Sequence, residues 1–291
     1  MSESVFYSLR RRLQVLALKM TSYKFMSKVY FRIMMAYTLN LKNPQTFNEK
    51  LQWLKLFYFP NDKLAISCTD KYSVREFITQ NGMDEYLNDL YGVWDDTDNI
   101  DWNRLPEKFV LKCTHGCRYN ILCENKHLMD VSNTTKQLNS WLNEDFSLFN
   151  AEPHYRSLKP KIICEKHLGN ISLEYKFYCF NGKIEFMYII DDTSTRTITL
   201  FGREGNRLPY RRTEHPVSDG AKLPTGFEKM KELSEKLAEQ FPFVRVDWFE
   251  VNGKIFFSEL TFTPGGAMLK IDPPEYDRKL GEILDITKFK K

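Results

Sequence analysis

Residues 243–266 read FVRVDWFEVNGKIFFSELTFTPGG, and this stretch decides the prediction of the fold. Asn252-Gly253 separates two arms that are rich in aromatic and β-branched residues, a pattern that predicts a β-hairpin. Each arm also carries an acid where a strand usually has an apolar residue, Asp247 in the first and Glu259 in the second. The stretch therefore predicts a hairpin built around two acids.

The register of the hairpin decides whether the two acids meet. With a strict two-residue loop, Asp247 lies opposite Ser258 and Glu259 points to the other face. With a three-residue loop, in which Gly253 is a left-handed bulge residue, Asp247 lies opposite Phe257 and both acids share one face. The two carboxylates are then diagonal neighbours, roughly 7–8 Å apart at the backbone. The residues alone leave both registers open.

In the second register one face of the hairpin is polar and the other is apolar. The polar face comprises Arg245, Asp247, Glu259 and Thr261, and the apolar face, predicted to be core, comprises Val244, Val246, Trp248, Phe256 and Leu260. Two carboxylates at this spacing can hold a hard cation and leave room for phosphate oxygens. The competing interpretation is a plain ion pair with Arg245 on a solvated sheet face.

The composition is that of a globular protein. The chain has 291 residues, of which 42% are hydrophobic and 27% charged, so a substantial core is predicted. The formal net charge of +4 is too small to indicate a nucleic-acid partner, and none is expected. No apolar run reaches the length of a membrane span and no secretory signal is visible, which favours the cytoplasm.

The six cysteines are not spaced as a disulfide framework, which agrees with a reducing compartment. A zinc site made of Cys113, Cys117, Cys123 and His127 is a minor alternative. It lacks the C-x-x-C pair that is typical of structural zinc sites, and it falls within an alternating strand pattern.

Residues 1–42 are predicted to form a basic helical segment. Apolar residues alternate with cations, which are Arg10, Arg11, Arg12, Lys19, Lys24, Lys28 and Arg32. One interpretation is an amphipathic segment that lies on an anionic membrane or docks on a membrane complex. The other, which the pattern favours, is a helical pair that packs onto the next lobe through its apolar stripe.

The region that follows is predicted to be helical. Thr46 and Glu49 form a capping box ahead of one helix, and a second helix is predicted over residues 70–81. Lys71 lies near the start of that second helix. From its spacing alone it is a surface charge.

Residues 108–113, KFVLKC, are predicted to form a strand that ends in a glycine-containing loop, and a further strand follows from Ile121. Such a unit is typical of a flap whose backbone N–H groups, here around His115 and Gly116, cover phosphates. Lys112 at the mouth of the flap adds positive charge. A lone lysine in a strand is otherwise an edge or surface residue.

A buried strand and a second hairpin follow. Residues 161–166 predict a strand with Glu165 at its exit. Residues 174–190 contain a second Asn-Gly turn, and alternation places Glu174 and Lys176 on one face.

Two helices and a loop complete the prediction. Residues 133–146 are predicted to be helical, and residues 191–222 to be a variable loop. A capping box of Thr225 and Glu228 is predicted to begin the helix that leads to the central hairpin.

Together these motifs resemble the ATP-grasp superfamily, and more closely the TupA-like ATP-grasp proteins of bacterial cell-surface polysaccharide gene clusters. The stretches that carry the resemblance are NPQTFNEKLQWLK (43–55), DKYSVREFI (70–78), LPEKFVLKCTHG (105–116), EYKFYCFNGK (174–183) and RVDWFEVNGKIFFSELTFTPGG (245–266). The resemblance covers most of the chain from about residue 40 onward, and it is specific as a set rather than through any single motif.

The resemblance implies an α+β fold of the ATP-grasp type, in which two α+β lobes clasp ATP. The parts are a basic helical N-terminal segment at 1–42, an N-terminal helical lobe at 43–105, lobe A with the phosphate flap at 106–163, and lobe B with the metal-binding hairpin at 164–291.

The resemblance also implies which residues bind nucleotide. Lys112 resembles the flap lysine that binds ATP phosphates, and Lys71 is a candidate for an earlier lysine of the same kind. Ile163 and Cys164 lie on the strand whose backbone meets adenine, and Glu165 follows them.

The remaining roles fall on the two hairpins. Lys176 is implied to touch the γ-phosphate and Arg245 to steady the transferred phosphoryl group. Asp247 and Glu259 match the two acidic magnesium ligands. Thr261 stands where the superfamily usually has asparagine, and it offers a single oxygen as a ligand.

The implied activity is ATP- and Mg²⁺-dependent carboxylate–amine ligation, with a glycan precursor bearing a uronic acid as acceptor and an amino acid or amine as donor. Two alternatives stay open. One is a glycosyltransferase that uses the D-x-D motif at 96–98, although such a short acidic stretch more often makes a turn. The other is a non-catalytic nucleotide-binding partner that docks on a membrane assembly, at the inner membrane face, through residues 1–42.

Overall fold

The structure is a computed structural model that describes the backbone of residues 3–290 and the side chains of residues 11–290. The first two residues of the predicted segment 1–42 lie outside it. The helices are α1 Glu3–Met20, α2 Tyr23–Met35, α3 Phe47–Trp53, α4 Lys63–Thr69, α5 Val74–Gln80, α6 Val131–Leu142, α7 Phe227–Ala238 and α8 Glu275–Ile283. The strands are β1 Leu90–Trp94, β2 Phe109–Cys113, β3 Asn120–Cys123, β4 Ile162–Lys166, β5 Leu173–Phe180, β6 Lys183–Asp191, β7 Thr197–Gly202, β8 Arg211–Arg212, β9 Phe243–Val251, β10 Lys254–Thr261 and β11 Ile271–Asp272.

Two antiparallel sheets form the framework and confirm the α+β prediction. Sheet A has four strands in the order β1-β4-β2-β3, and sheet B has five in the order β10-β9-β5-β6-β7. Strands β8 and β11 pair as a short ribbon beside sheet B. Sheet A packs one face against a core of its own, whereas sheet B is largely buried on both faces. The face of β5 that carries Lys176 also carries the buried Tyr178 and Phe180.

The core of sheet A lies under helix α6. Phe109, Leu111 and Cys164 point into it, and Leu138 of α6 packs against them. The core of sheet B lies under helix α7. There the Nε1–H of Trp248 donates a hydrogen bond of 2.7 Å to Ser234 Oγ, so the only polar atom of that buried ring is satisfied.

The helices predicted as a separate lobe at 43–105 pack against sheet B instead. The ring of Phe47 on α3 lies 4.9 Å from Phe180 and 5.5 Å from Phe243. The capping box of Thr46 and Glu49 that begins this helix is present, as predicted.

The boundaries of the fold follow the sheets rather than the predicted breaks. Strand β1 pairs with β4 in sheet A, so sheet A begins before residue 105. Strand β4 continues across the predicted boundary between residues 163 and 164. Glu165 lies within this strand, opposite Val110, and not at its exit.

The central hairpin β9–β10 has a register that differs from both predicted ones. Asn252 and Gly253, with φ of 53° and 75°, form a two-residue turn, so the predicted three-residue loop is wrong. Past Phe257 the pairing shifts by one residue at Ser258, as in a β-bulge. Glu259 therefore lies directly opposite Asp247, where we expected a diagonal neighbour.

The bulge also decides which aromatic residue of β10 is buried. The shared polar face of Arg245, Asp247, Glu259 and Thr261 is confirmed. Phe256, however, was predicted to be core and is half-buried, whereas Phe257 is buried opposite Trp248.

The two N-terminal helices pack onto the protein through apolar residues, as the favoured prediction has it, but they contact the lobe of sheet A, whereas the next lobe along the chain was expected. Leu18 of α1 and Met26 of α2 are buried in one small cluster with Leu148 and Ala151. Val15 of α1 also packs against the sheet A core.

Several local predictions need correction. Helix α5 begins only at Val74, because the Asp70 carboxylate accepts bonds from the N–H groups of Tyr72 and Ser73 and holds a turn there. Helix α6 ends at Leu142 and not at residue 146. The predicted loop 191–222 contains strands β7 and β8.

The capping box predicted at Thr225 and Glu228 is absent. Thr225 Oγ1 donates to Glu250 instead, and Gly226 occupies the cap position of α7 without a side-chain bond. Glu228 pairs with Lys231 on the helix surface.

Two alternatives for metal binding find no support within residues 11–290. No group of three or more His, Cys, Asp or Glu side chains there is placed to hold a metal, so the zinc site is not formed. The D-x-D acids make a turn: Asp96 Oδ1 accepts from the backbone of Asp98 and Asn99.

Candidate functional site

The polar face of the central hairpin carries a compact cluster of charges. The buried Asp247 carboxylate accepts hydrogen bonds from Lys176 Nζ at 2.7 Å and from Arg245 Nε at 2.6 Å. Lys176 reaches it because β5 pairs with β9 and places the two residues opposite each other. Arg245 also donates to Glu259 Oε1 at 3.1 Å and to Thr261 Oγ1 at 2.9 Å. One guanidinium thus links both acids and the threonine.

The cluster extends to both sides of this pair. Lys176 Nζ lies 2.6 Å from Glu174 Oε2, so these residues share a face as predicted. Lys71 Nζ lies 3.7 Å from Glu259 Oε2 and donates a 2.7 Å bond to the carbonyl of Gly116. Lys71 therefore connects the hairpin of sheet B with the loop that follows β2 in sheet A.

The surrounding charges affect the pKa values of the two acids differently, so that the pKa of Glu259 is lowered and that of Asp247 is raised. Burial alone raises the pKa of Glu259, but Lys71, Arg245 and Lys176 outweigh it and lower the pKa to about 2. Burial also raises the pKa of Asp247, and Arg245 and Lys176 counteract only part of that rise. Glu259 is therefore the acid whose negative charge is the more secure at neutral pH.

Sheet A contributes a second charged group. Lys112 Nζ lies 2.6 Å from Glu165 Oε2, and Arg75 lies 3.3 Å from the other oxygen of the same carboxylate. Ile163 is opposite Lys112 in the ladder and shares its face, whereas the Cys164 side chain points into the core of sheet A. Only the backbone of Cys164 is thus available to a ligand in the cleft.

The loop between β2 and β3 is closely packed. A side chain at Gly116 would lie 2.5 Å from the ring of Tyr119 and 2.6 Å from that of Phe146, so glycine is required there. His115 is buried and directed away from the charge cluster, with Nε2 3.0 Å from the Trp141 carbonyl of α6. Its imidazole supports the loop, and contact with nucleotide remains a prediction for the loop backbone alone.

A cavity of about 370 Å³ opens beside the cluster. Arg245, Glu259 and Thr261 line its floor, and the turn at 264–266 lines one side. Arg11 and Cys117 line both this cavity and a groove of about 910 Å³ that lies between α1 and α6. The cluster is therefore accessible to a molecule larger than a nucleotide phosphate.

A buried polar group supports the turn at 264–266. Lys55 Nζ donates bonds of 3.1 Å to the carbonyls of Asn150 and Gly266, and the Thr263 hydroxyl donates to Glu152. Burial lowers the pKa of Lys55 to about 8 and raises that of Glu152 to about 6.

Sequence reasoning missed this support, together with Arg11 and the role of Arg75. A signal existed for Lys55, because it follows Leu51 and Leu54 at helical spacing and so occupies a core position of its helix. Glu152 lies in a segment without periodicity and offered no such signal.

The donor set suits a hard cation and a polyphosphate. Asp247, Glu259 and Thr261 offer only oxygen atoms, the ligands that magnesium prefers. Lys71, Lys112 and Lys176 supply the positive charge that phosphate oxygens require. Lys176 and Arg245 lie against the two carboxylates, so a bound cation would share the carboxylate oxygens with them.

Two sheets that face a shared cleft, with acids on one and a lysine on the other, define the class as ATP-grasp proteins. Residues 49–285 match the family described as TupA-like ATPgrasp. The chain belongs to this family.

Solved structures of ligases are similar to this chain at low identity. D-alanine–D-alanine ligase from Bacillus anthracis, complexed with ATP, is 13% identical, with a TM-score of 0.44, over 68% of this chain and 57% of that one. The same enzyme from Helicobacter pylori is 12% identical, with a TM-score of 0.45, over 84% of this chain and 70% of that one. L-amino acid ligase from Bacillus licheniformis is 11% identical, with a TM-score of 0.43, over 70% of this chain and 44% of that one. The matched part of the chain thus spans from 44% to 70% of the length of these three ligases.

A comparison with curated protein sequences found no significant match. Among residues 3–290, no helix is both long and apolar enough to cross a lipid bilayer.

Proposed function

We propose that this protein is an ATP-dependent ligase that joins a carboxylate to an amine through an acyl phosphate. The observation that carries the proposal is the direct opposition of Asp247 and Glu259, with Lys176 and Arg245 in contact with them. Such a cluster can bind a polyphosphate and stabilise charge that moves between its oxygens.

Magnesium held by Asp247 and Glu259, with Thr261 beside them, would supply charge neutralisation on the ATP phosphates. The other residues of the cluster act on the substrates. Lys112 and Lys71 bind phosphate oxygens from the side of sheet A, and Lys176 and Arg245 bind the transferred group from the side of sheet B.

In the first step an oxygen of the substrate carboxylate attacks the γ-phosphorus, the bond to the bridging β,γ-oxygen breaks, and ADP leaves. In the second step the amine nitrogen attacks the acyl carbon, the carbon–oxygen bond to phosphate breaks, and phosphate and a proton leave. The contribution of the protein is to position the groups and to neutralise charge.

We further propose an acidic saccharide, such as a precursor that bears a uronic acid, as the acceptor. The support is the three arginines, Arg11, Arg118 and Arg245, that line the cavity beside the cluster along with the acids Glu152 and Glu259. Guanidinium groups bind carboxylates through paired hydrogen bonds. The amine partner is an amino acid or a simple amine.

The test is product analysis with purified protein, Mg²⁺, ATP and a panel of uronic acids and amino acids. We expect ADP and phosphate in step with amide, and oxygen-18 from the substrate carboxylate in the released phosphate. AMP and pyrophosphate, or amide formed without label transfer, would contradict the acyl-phosphate route. Sugar transfer without consumption of ATP would favour a glycosyltransferase, and binding without turnover a nucleotide-binding partner.

Two variants connect the reaction to the acids. Asp247→Asn and Glu259→Gln keep the shape of each side chain and remove its charge, so each should lower turnover about a hundredfold or more. Glu185→Gln on β6, outside the cluster, is the control and should retain activity. Thermal melts check that the variants are folded, and a variant with full turnover would remove that acid from the mechanism.

A further inference from the structure

The outer surface of the N-terminal helical pair is apolar although the pair is packed on the protein. Leu13 and Met20 of α1 are 58% and 77% exposed, and Ile33 of α2 is 71% exposed. Leu16 and Phe25 are also largely exposed. Large apolar side chains gathered at one place on a surface mark a site of interaction.

The geometry of α1 shows that these residues form a second apolar stripe. At about 100° per residue, Leu13, Leu16 and Met20 lie about 140–200° around the helix from the buried Leu18. The packed stripe therefore faces the protein and the second stripe faces away from it. Leu18 and Met26 both contact the segment 148–151, so α1 and α2 lie side by side on the same part of the molecule.

The charge around the stripe has one sign. Among residues 11–35 the exposed cations of the two helices are Arg12, Lys19, Lys24, Lys28 and Arg32. From residue 4 to residue 48 the chain contains eight Lys and Arg and no Asp or Glu. The whole chain has a formal net charge of only +4, so the remainder is net negative. The positive charge is thus concentrated beside the exposed apolar residues.

We propose that the outward face of α1 and α2 binds an anionic phospholipid surface. An apolar stripe flanked by cations matches the boundary between lipid headgroups and acyl chains. A second copy of the chain is a poorer occupant, because a symmetric contact would bring the same cations together. The groove between α1 and α6 is lined by Arg12, Leu16 and Lys19, so it opens at the edge of this surface.

The experiment is flotation of the full chain with vesicles of phosphatidylcholine alone or mixed with phosphatidylglycerol. We expect binding to the mixed vesicles at low salt, weak binding to neutral vesicles, and release as the ionic strength rises, because salt screens exposed charges. The assay contains no ATP, so its result does not depend on the ligase activity.

Two sets of variants separate the apolar and the charged contributions. Leu13→Ser with Met20→Ser should weaken binding about tenfold or more through the loss of apolar area. Lys24→Gln with Lys28→Gln should weaken it about fivefold for each lysine and reduce the salt dependence. The matched controls are Leu128→Ser, at an 83% exposed leucine of the sheet A lobe, and Lys159→Gln with Lys222→Gln.

The controls should bind as the unchanged protein does, and all variants should melt at the same temperature because the residues are exposed. Failure to bind mixed vesicles at low salt would overturn the proposal and leave a protein as the occupant of this face. Equal binding by the helix variants and the controls would overturn it as well.

Discussion

Lys112 is held in the cleft by the carboxylate of Glu165, which Arg75 also contacts. The pair keeps a flexible lysine extended along the face of sheet A. A nucleotide phosphate would therefore meet a positioned ammonium group rather than a mobile one, which reduces the entropy lost on binding.

We expect Lys112→Ala to weaken ATP binding about 10- to 100-fold, the range of a lost hydrogen bond to a charged group. Lys108→Ala is the matched control, because Lys108 precedes the same strand and pairs with Glu124 on the exposed surface. Calorimetric titration with ATP measures both variants. Equal affinity in the Lys112 variant would place the phosphates elsewhere.

Thr261 stands where the superfamily usually has asparagine, and its hydroxyl makes two hydrogen bonds within the cluster. Its hydroxyl donates to Glu259 Oε1 at 3.0 Å and accepts from Arg245 at 2.9 Å. The single oxygen is thus engaged on both sides and orients Glu259. The asparagine that the superfamily usually has here would offer an oxygen and a donor on separate atoms.

At the scale of elements, alternation in the sequence predicted the polar face of the hairpin but not its register. The signal for the bulge was nevertheless present: the buried residues of β10 are Ile255 and Phe257 before Ser258, and Leu260 after it. The change from odd to even positions marks the place where the ladder shifts. Phe256 hides this change in the sequence, because it is apolar and even-numbered like Leu260, although it lies on the opposite face of the strand from the buried Phe257.

Contacts between distant elements could not be predicted in the same way. Lys55 bonds to carbonyls 95 and 211 residues away, and Arg11 contacts Tyr119 and Glu144. No local pattern encodes such partners. They become visible only when the helices, the segment 146–155 and the turn at 264–266 are placed together.

The segment after α3 therefore depends on Lys55 for its position. Lys55→Met keeps the length of the side chain but leaves the Asn150 and Gly266 carbonyls without their donor and Glu152 without its nearby cation. We expect a loss of about 2–5 kcal/mol in the free energy of unfolding. Lys50→Met is the control; it removes one bond to the Leu284 carbonyl at a half-buried position and should cost about 1 kcal/mol.

Urea denaturation measures both losses. A Lys55 variant as stable as the Lys50 variant would show that water or a rearranged backbone satisfies the two carbonyls. The support of the turn at 264–266 would then rest on Thr263 and Glu152 alone.

At the scale of the whole molecule, the cores of the two sheets meet at His154. Its ring lies 6.3 Å from that of Phe59, in the core of sheet B, and 4.5 Å from that of Tyr155, which packs against the core of sheet A. The imidazole is buried, and neither ring nitrogen has a hydrogen-bond partner within the described part of the chain. The contact between the lobes therefore requires the neutral ring.

Burial, together with Lys55, lowers the pKa of His154 from 6.5 to about 3. The unfolded chain takes up a proton on this histidine below pH 6.5, and the folded chain does so only near pH 3. The stabilisation from the neutral ring is thus complete above pH 6.5 and is lost as the pH falls toward 3, with a slope of up to about 1.4 kcal/mol per pH unit.

We expect His154→Phe, which fills the same space between Phe59 and Tyr155, to flatten the dependence of the unfolding free energy on pH in this range by that slope. Urea unfolding at a series of pH values measures it, and His127→Phe at an exposed histidine controls for the loss of an imidazole. Parallel curves for the His154 variant and the unchanged protein would mean that the pKa of the ring is the same in the folded and the unfolded chain, and that acid destabilises the contact between the lobes through other groups.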